Sequence, residues 1–403
     1  MHPRLLLVVF CPFAAGFYLS YFFRNVNAVI SRDLARDFDL SSADLGFLTA
    51  TYLLAFAAFQ LPLGVLLDRY GPRRVLAALL CIAGTGALVF ALAQDFVVLS
   101  IGRALIGLGV SGCLMGAIKA FTLWFPLSRL ATLNGLYLAI GGLGGLSATA
   151  PVEAFIGPFG WRALFIVLAA ASVSAAALIF FVVPEKPLPG HGQTLRAQIA
   201  DFGRIFASVP FWRIALPLVI CHAVYQALQG LWLAPWLYDI AGYERPAVAA
   251  ALLIAAIAYT AGSVFFGVSS DRLASAGVSR MTTYKVGIAT SLAMFALLAA
   301  GTTTGLAAIL AVYAFTSISV SLAYALMTPL FPPAMTGRVI TASNVMMFGT
   351  SFLFQWGIGA MLRLFPEADG RYPAESYAVA FWSLAALQLA TILWLLPMRE
   401  SRV

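Results

Sequence analysis

Runs of about twenty apolar residues follow one another, with only short polar breaks, along nearly all of this 403-residue chain. A helix of ~20 apolar residues crosses the hydrocarbon layer of a bilayer. In lipid the backbone must satisfy its own hydrogen bonds, so such runs fold as helices. They lie at 5–28, 44–66, 75–94, 97–121, 130–152, 161–183, 212–236, 246–267, 281–300, 305–328, 339–362 and 377–397. The expectation is an all-α membrane protein with twelve transmembrane helices. Only 10% of residues are charged, against roughly 25% in a soluble domain. The net charge of +8 is no nucleic-acid signature, because the basic residues are scattered through short loops and form no patch. Cys11, Cys81, Cys113 and Cys221 all fall inside apolar runs, without a CxxC pair, and read as small core residues. The first run is too long for a signal peptide and lacks a small-residue cleavage site after it, so it reads as a retained helix.

The sizeable hydrophilic interruption lies at Pro184–Pro210. It divides the chain into a six-helix bundle at 1–183, a linker at 184–211 and a second six-helix bundle at 212–403. A repeat supports that division. Gly64, Asp68, Arg69, Arg73 and Arg74 follow the second run, and Gly267, Asp271 and Arg272 follow the eighth. Gly64 to Gly267 and Asp68 to Asp271 are both steps of 203 residues. Two pseudo-symmetric halves in a membrane chain point to a duplicated transporter.

Orientation follows from Lys and Arg. With the N-terminus inside, inner segments hold Arg4, Arg69, Arg73, Arg74, Arg129, Lys186, Arg196, Arg204, Arg213, Arg272, Arg280, Lys285, Arg338, Arg399 and Arg402. Outer segments hold Arg32, Arg36, Arg162, Arg245, Arg363 and Arg371. Both termini are therefore expected in the cytoplasm, with the chain in a bacterial-type inner membrane.

The motifs resemble those of the major facilitator superfamily, over essentially the whole chain. Gly64 to Arg74 is similar to the family's G-x-x-x-D-R-x-G-R-R loop, with Pro72 inserted. The eighth run ends on a shortened copy. Arg103, Gly107 and Gly109 resemble its R-x-x-x-G element, and Gly141–Gly145 and Gly160-Trp161-Arg162 are also family-like. Trp124-Phe125-Pro126 and Leu330-Phe331-Pro332 recur at matching places in the two halves. The resemblance implies alternating access, in which two bundles rock around a central site lined by helices 1, 4, 7 and 10. It gives Gly64, Asp68, Arg69, Arg73, Arg103, Gly267, Asp271 and Arg272 conformational roles.

Charges inside the runs are few: Arg24, Arg103, Lys119 and Glu153. Each costs roughly 2.5–3.5 kcal/mol at a helix centre on insertion scales, so each should face a wet cavity or a partner. Ser20, Tyr21, Arg24 and Asn27 share one helical face. Tyr21, Arg24 and Asn27 form a plausible anion clamp, since a guanidinium fork matches a carboxylate. Arg24 could instead snorkel to the outer interface or pair with an outer Asp. Lys119 either adds positive charge to the cavity or reaches the cytoplasm along its stem. In the seventh run, His222, Tyr225, Gln226, Gln229, Trp232 and Trp236 make a polar and aromatic stripe, with Tyr313 on a similar face of the tenth. The stripe either lines the cavity or bonds neighbouring helices.

The expected function is secondary transport of a small organic anion, a monocarboxylate in first place. Glu153 and His222 are the candidates for proton coupling, with exchange and uniport left open. An amphipathic drug exporter would favour an embedded Asp or Glu in helix 1 or 4, and neither occurs. Nitrate carriers of the resembled family place an Arg in helices 2 and 8, and organophosphate carriers a second Arg in helix 7; this chain has none there. No Walker motif, nucleophile–base set or metal cluster is visible, so no enzyme activity, cofactor or metal is expected. The expected partners are the substrate anion, a proton if coupling is by symport, and the bilayer, with the protein acting as a monomer.

Overall fold

The computed structural model describes residues 5–186, 203–332, 335–367 and 371–398; side chains at 61, 127, 128, 131, 268–272, 274 and 275 are also outside the description. The described chain is almost entirely helical. The elements are α1 (Leu6–Phe38), α2 (42–70), α3 (72–92), α4 (Phe96–Trp124), α5 (Leu127–Ser147) and α6 (Ala150–Val182). They continue as α7 (Val209–Asp239), α8 (Arg245–Ser275), α9 (Arg280–Ala299), α10 (Leu306–Leu330), α11 (Thr336–Leu362) and α12 (Ala374–Leu395). Among the described residues, eleven stretches are long and apolar enough to cross a membrane. The helix outside that set is α5.

Backbone contacts divide the chain into two units: unit 1 is Met1–Leu40 with Leu48–Ala197, and unit 2 is Ser41–Phe47 with Gln198–Val403. The first turn of α2 thus groups with the later half of the sequence. Ser42 Oγ donates to the Gly359 carbonyl at 2.9 Å within unit 2.

Several helix ends differ from the apolar runs. The first run ends near residue 28, yet α1 continues to Phe38. Its added turns carry Arg32, Asp33, Arg36 and Asp37, and Arg36 pairs with Asp33 one turn away at 3.8 Å. Hydropathy marks where a helix leaves lipid, and charged residues paired at i, i+3 carry it onward. Asp39 ends α1 in the left-handed region, with φ 51°.

Two glycines make sharp corners. The helical run from 42 to 92 breaks at Gly71 (φ 79°), just before Pro72. Within α6 the break is at Gly160 (φ 76°), just before Trp161. Positive φ at both sites is open to glycine without the Cβ penalty.

The fourth run was expected to be continuous, but α4 has a turn between Val110 and Cys113. Side chains from neighbouring helices take up the exposed carbonyls. Gln60 Nε2 donates to the Ser111 carbonyl (3.2 Å), and the Tyr137 hydroxyl lies 2.6 Å from the Cys113 carbonyl. That is how an interrupted helix keeps its backbone satisfied away from water.

Unit 1 is filled by aromatic packing. Phe90 stands 4.4 Å from Phe165 and 5.6 Å from Trp161, centroid to centroid. Unit 2 packs Phe211, Tyr284, Ile288, Met327 and Val339 into a buried cluster. Cys113 and Cys221 are buried, as expected, but Cys11 and Cys81 lie on exposed helix surfaces. An apolar run has an outer face too, and those two thiols occupy it.

Candidate functional site

Arg24 lies midway along α1, half-buried, with its guanidinium between two aromatic rings. The Tyr21 centroid is 4.8 Å from its central carbon and the Phe56 centroid 5.3 Å. The negative ring faces hold the cation. Tyr21 is itself set by α5. A Cβ at Gly141 would lie 2.5 Å from Phe17 and 3.1 Å from the Tyr21 ring, so the glycine lets α5 press both rings into place.

The other members of the α1 face turn inward to α2. Ser20 and Asn27 are buried, at 2% and 0% exposure. Asn27 Nδ2 donates to Thr49 Oγ1 (3.1 Å), and the Tyr52 hydroxyl donates to the Ser20 carbonyl (3.3 Å). Asn27 thus faces Thr49, while Tyr21 and Arg24 stay reachable.

Thr49, Tyr52, Phe56 and Gln60 were missed as a group by sequence reasoning. Their spacing of three, four and four residues puts them on one face of α2. The face was legible, but a tyrosine and a phenylalanine among apolar neighbours look like core. Tyr52 also lies under a second cation: the Arg103 guanidinium, fully buried in α4, is 4.8 Å from the Tyr52 centroid.

At the far end of α2, the Lys119 ammonium meets the Asp68 carboxylate in an ion pair. This pairing joins α4 to the loop motif and places Lys119 away from the Arg24 rings. Arg69 lies over the Tyr70 ring at 5.2 Å. Arg73 Nε donates to the Phe180 carbonyl (2.8 Å) near the end of α6, and Arg74 pairs with Glu185 at 2.6 Å. Cations at helix C-termini complement the helix dipole. Gly64 has open space around it, with nothing within 4 Å of a built Cβ. So does Gly267, while the side chains of Asp271 and Arg272 lie outside the described residues.

Glu153 is half-buried in the first turn of α6. Arg162, further along α6, reaches Asp37 at 3.5 Å and donates to the Ala93 carbonyl. Trp161 Nε1 completes that cluster by donating to Asp37 at 2.9 Å.

Within unit 2, the α7 stripe splits. Tyr225 stacks on Tyr259 of α8 (4.6 Å, 9° between planes) and stands 5.9 Å from Tyr313 of α10. His222 meets Phe348 of α11 edge-on at 6.2 Å. Gln226 and Gln229 are buried at 6% and 7% exposure. Beyond Gln226, and including Gln229, α7 makes a π turn at Leu228–Trp232, which adds a residue to the turn and shifts the register. Trp232 is consequently engaged with α11, its indole N–H donating to the Gln355 carbonyl at 2.7 Å. Trp236 is buried at 1% exposure. The structure therefore gathers Tyr225, Tyr259 and Tyr313 and sets Trp232 apart as a packing anchor. No group of three metal-ligating side chains occurs among the described residues.

A family model described as the Major Facilitator Superfamily matches residues 13–355. A probable sulfoacetate transporter, SauU, from Cupriavidus necator is 25% identical over 272 residues, covering 64% of this chain and 63% of the relative. A nitrate/nitrite transporter, NrtP, from a Picosynechococcus species is 34% identical over 204 residues, covering 50% of this chain and 33% of the relative. The hexuronate transporter of Escherichia coli is 23% identical over 250 residues, covering 58% of each. The chain thus spans less than two thirds of the length of these relatives. A solved D-xylose-proton symporter superposes with a TM-score of 0.76 at 18% identity, covering 98% of this chain and 99% of that one. A bacterial homologue of the human lysosomal transporter Spinster gives 0.74 at 19% identity, covering 98% and 96%.

Proposed function

We propose that this chain, which belongs to the major facilitator superfamily, is a secondary transporter that carries a small organic anion, in first place a monocarboxylate, by alternating access. One observation carries the reading. Arg24 is a half-buried cation at mid-helix in an apolar span, gripped by the Tyr21 and Phe56 rings. Relatives named for sulfoacetate and hexuronate agree with an organic anion.

A nitrate-type inorganic anion is the second reading, favoured by the relative named for nitrate and nitrite. Against it, α2 offers Gln60, which is spent on the Ser111 carbonyl, and α8 offers Tyr259, which stacks on Tyr225. Neither position supplies a guanidinium.

Uptake of labelled monocarboxylates, sulfoacetate, a hexuronate and nitrate into proteoliposomes tests both readings. A charge-assisted fork contact is worth ~1.5–3 kcal/mol, or about 10–100-fold in affinity. Arg24→Lys should lose about that much, because an ammonium lacks the fork. Arg24→Ala should lose specific uptake while remaining folded and monodisperse. Full organic-anion uptake by Arg24→Ala would refute the assignment, and uptake of nitrate alone would transfer it to the second reading.

A further inference from the structure

Arg103 presents a problem that the Arg24 site does not solve. Its side chain is at 0% exposure, and Nε, Nη1 and Nη2 are all buried without a hydrogen-bond partner among the described residues. A guanidinium has five N–H donors, no acceptor, and stays charged in proteins. A buried charge needs a partner. The Tyr52 ring at 4.8 Å covers one face and leaves the in-plane donors unmet.

Five described carboxylates of unit 1 are occupied elsewhere. Asp33 and Asp37 pair with Arg36, Asp68 with Lys119, and Glu185 with Arg73 and Arg74. Asp95 caps its own helix by accepting from the Val98 N–H at 2.9 Å. Ser100 Oγ, one turn before Arg103 on the same face of α4, is also buried without a partner. Asn27 Oδ1 is a buried orphan acceptor, but it is neutral and cannot answer the charge or five donors. One helical turn therefore collects unmet donors around a full positive charge, and the complement is an acceptor-only species bearing negative charge.

Packing restricts its size. A Cβ at Gly102, beside Arg103 in α4, would lie 2.7 Å from the Phe90 backbone nitrogen. A Cβ at Gly107, one turn on, would collide with the Tyr52 carbonyl. Backbones of α2 and α3 packed so close to α4 around Arg103 favour an occupant of one or a few atoms over an organic substrate. We propose that Arg103 and Ser100 hold a small inorganic anion of the halide class inside unit 1, separate from the Arg24 site.

The test uses the full-length protein, purified in detergent and dialysed into gluconate, then titrated with chloride at constant ionic strength. Chloride should raise the thermal unfolding midpoint saturably, by about 2–4 °C. The ³⁵Cl resonance should broaden on binding and sharpen when bromide displaces chloride. Arg103→Gln should lose both signals, and Ser100→Ala should weaken chloride affinity by roughly 5-fold. Arg24→Ala should keep both signals even though organic-anion uptake is lost, which separates this site from the transport site. If Arg103→Gln does not fold, the wild-type resonance and Ser100→Ala decide the matter. No chloride response in the wild type, an undiminished response in Arg103→Gln, or its loss in Arg24→Ala would each overturn the proposal.

Discussion

Gly107→Ala is a small change with a large expected effect. The added Cβ would fall on the Tyr52 carbonyl oxygen and lie 2.8 Å from Tyr52 Cα and 2.9 Å from its carbonyl carbon. These are backbone atoms, so no rotamer change relieves the clash, and α2 and α4 must separate. Overpacking of this kind costs about 1–3 kcal/mol. At ~2–4 °C per kcal/mol for a domain of this size, the unfolding midpoint should fall by roughly 2–12 °C. Separation should also break the 3.3 Å bond from the Tyr52 hydroxyl to the Ser20 carbonyl. The matched control is Gly135→Ala on exposed α5, where a Cβ meets nothing within 4 Å. There alanine should be neutral or stabilising, by up to ~1 kcal/mol of helix propensity. Differential scanning fluorimetry in one detergent compares the two. Adding Tyr52→Phe to Gly107→Ala should cost less than Tyr52→Phe alone, because the bond is already lost. A Gly107→Ala protein melting at or above Gly135→Ala would show that α2 and α4 are not in backbone contact there.

Four further outcomes are expected. Asp68→Asn should slow transport turnover more than it weakens substrate binding, since it releases Lys119 far from the Arg24 rings; lost binding with normal turnover would count against this. Tyr137→Phe should destabilise by about 1–2 kcal/mol, because its hydroxyl serves the carbonyl at the α4 interruption; an unchanged denaturation curve would refute it. If transport is by proton symport, substrate should alkalinise the medium around proteoliposomes, and Glu153→Gln or His222→Gln should abolish that pH change while preserving counterflow; no pH change in the parent protein would exclude proton coupling. Reporter fusions after Val183 and at Val403 should both report the cytoplasm, and an outer signal at either would overturn the orientation.

Much of the fold was legible because lipid simplifies the code. Length of apolar run is nearly sufficient to locate a span, and the loop repeat located the two halves. What hydropathy could not supply was the path of the helix once outside lipid. The ten residues of α1 beyond residue 28 include four charges yet stay helical, held by pairs such as Arg36–Asp33. Nor could it supply the α4 turn, whose carbonyls are satisfied by Gln60 and Tyr137 from distant positions. The site was legible one helix at a time. Arg24 with Tyr21 emerged from spacing within α1, but Phe56 joined them only through packing, since two faces are matched by tertiary contact and not by sequence distance. Lys119 looked equivalent to Arg24 by charge and burial, and its pairing with Asp68 distinguishes them. Trp232 fell off the α7 stripe because a period of 3.6 cannot foresee a π turn.

That π turn makes α7 a rod with a phase step. Residues before Leu228 and residues after Trp232 keep their own angular registers, offset by the extra residue at the step. Selection can therefore alter the portion before Leu228, with Tyr225 and Gln226, without disturbing the bond that ties Trp232 to α11. The converse is a tolerance of shortening confined to that step. Deleting one residue between 228 and 232 would restore a regular helix with both portions near their present angular relation, because a π turn covers with five residues about the rotation an α-helix covers with four. Deleting one residue elsewhere in α7 would instead rotate one portion against the other by about 100°, and Tyr225 or Trp232 would face the wrong neighbour, although no residue that contacts either ring had been replaced.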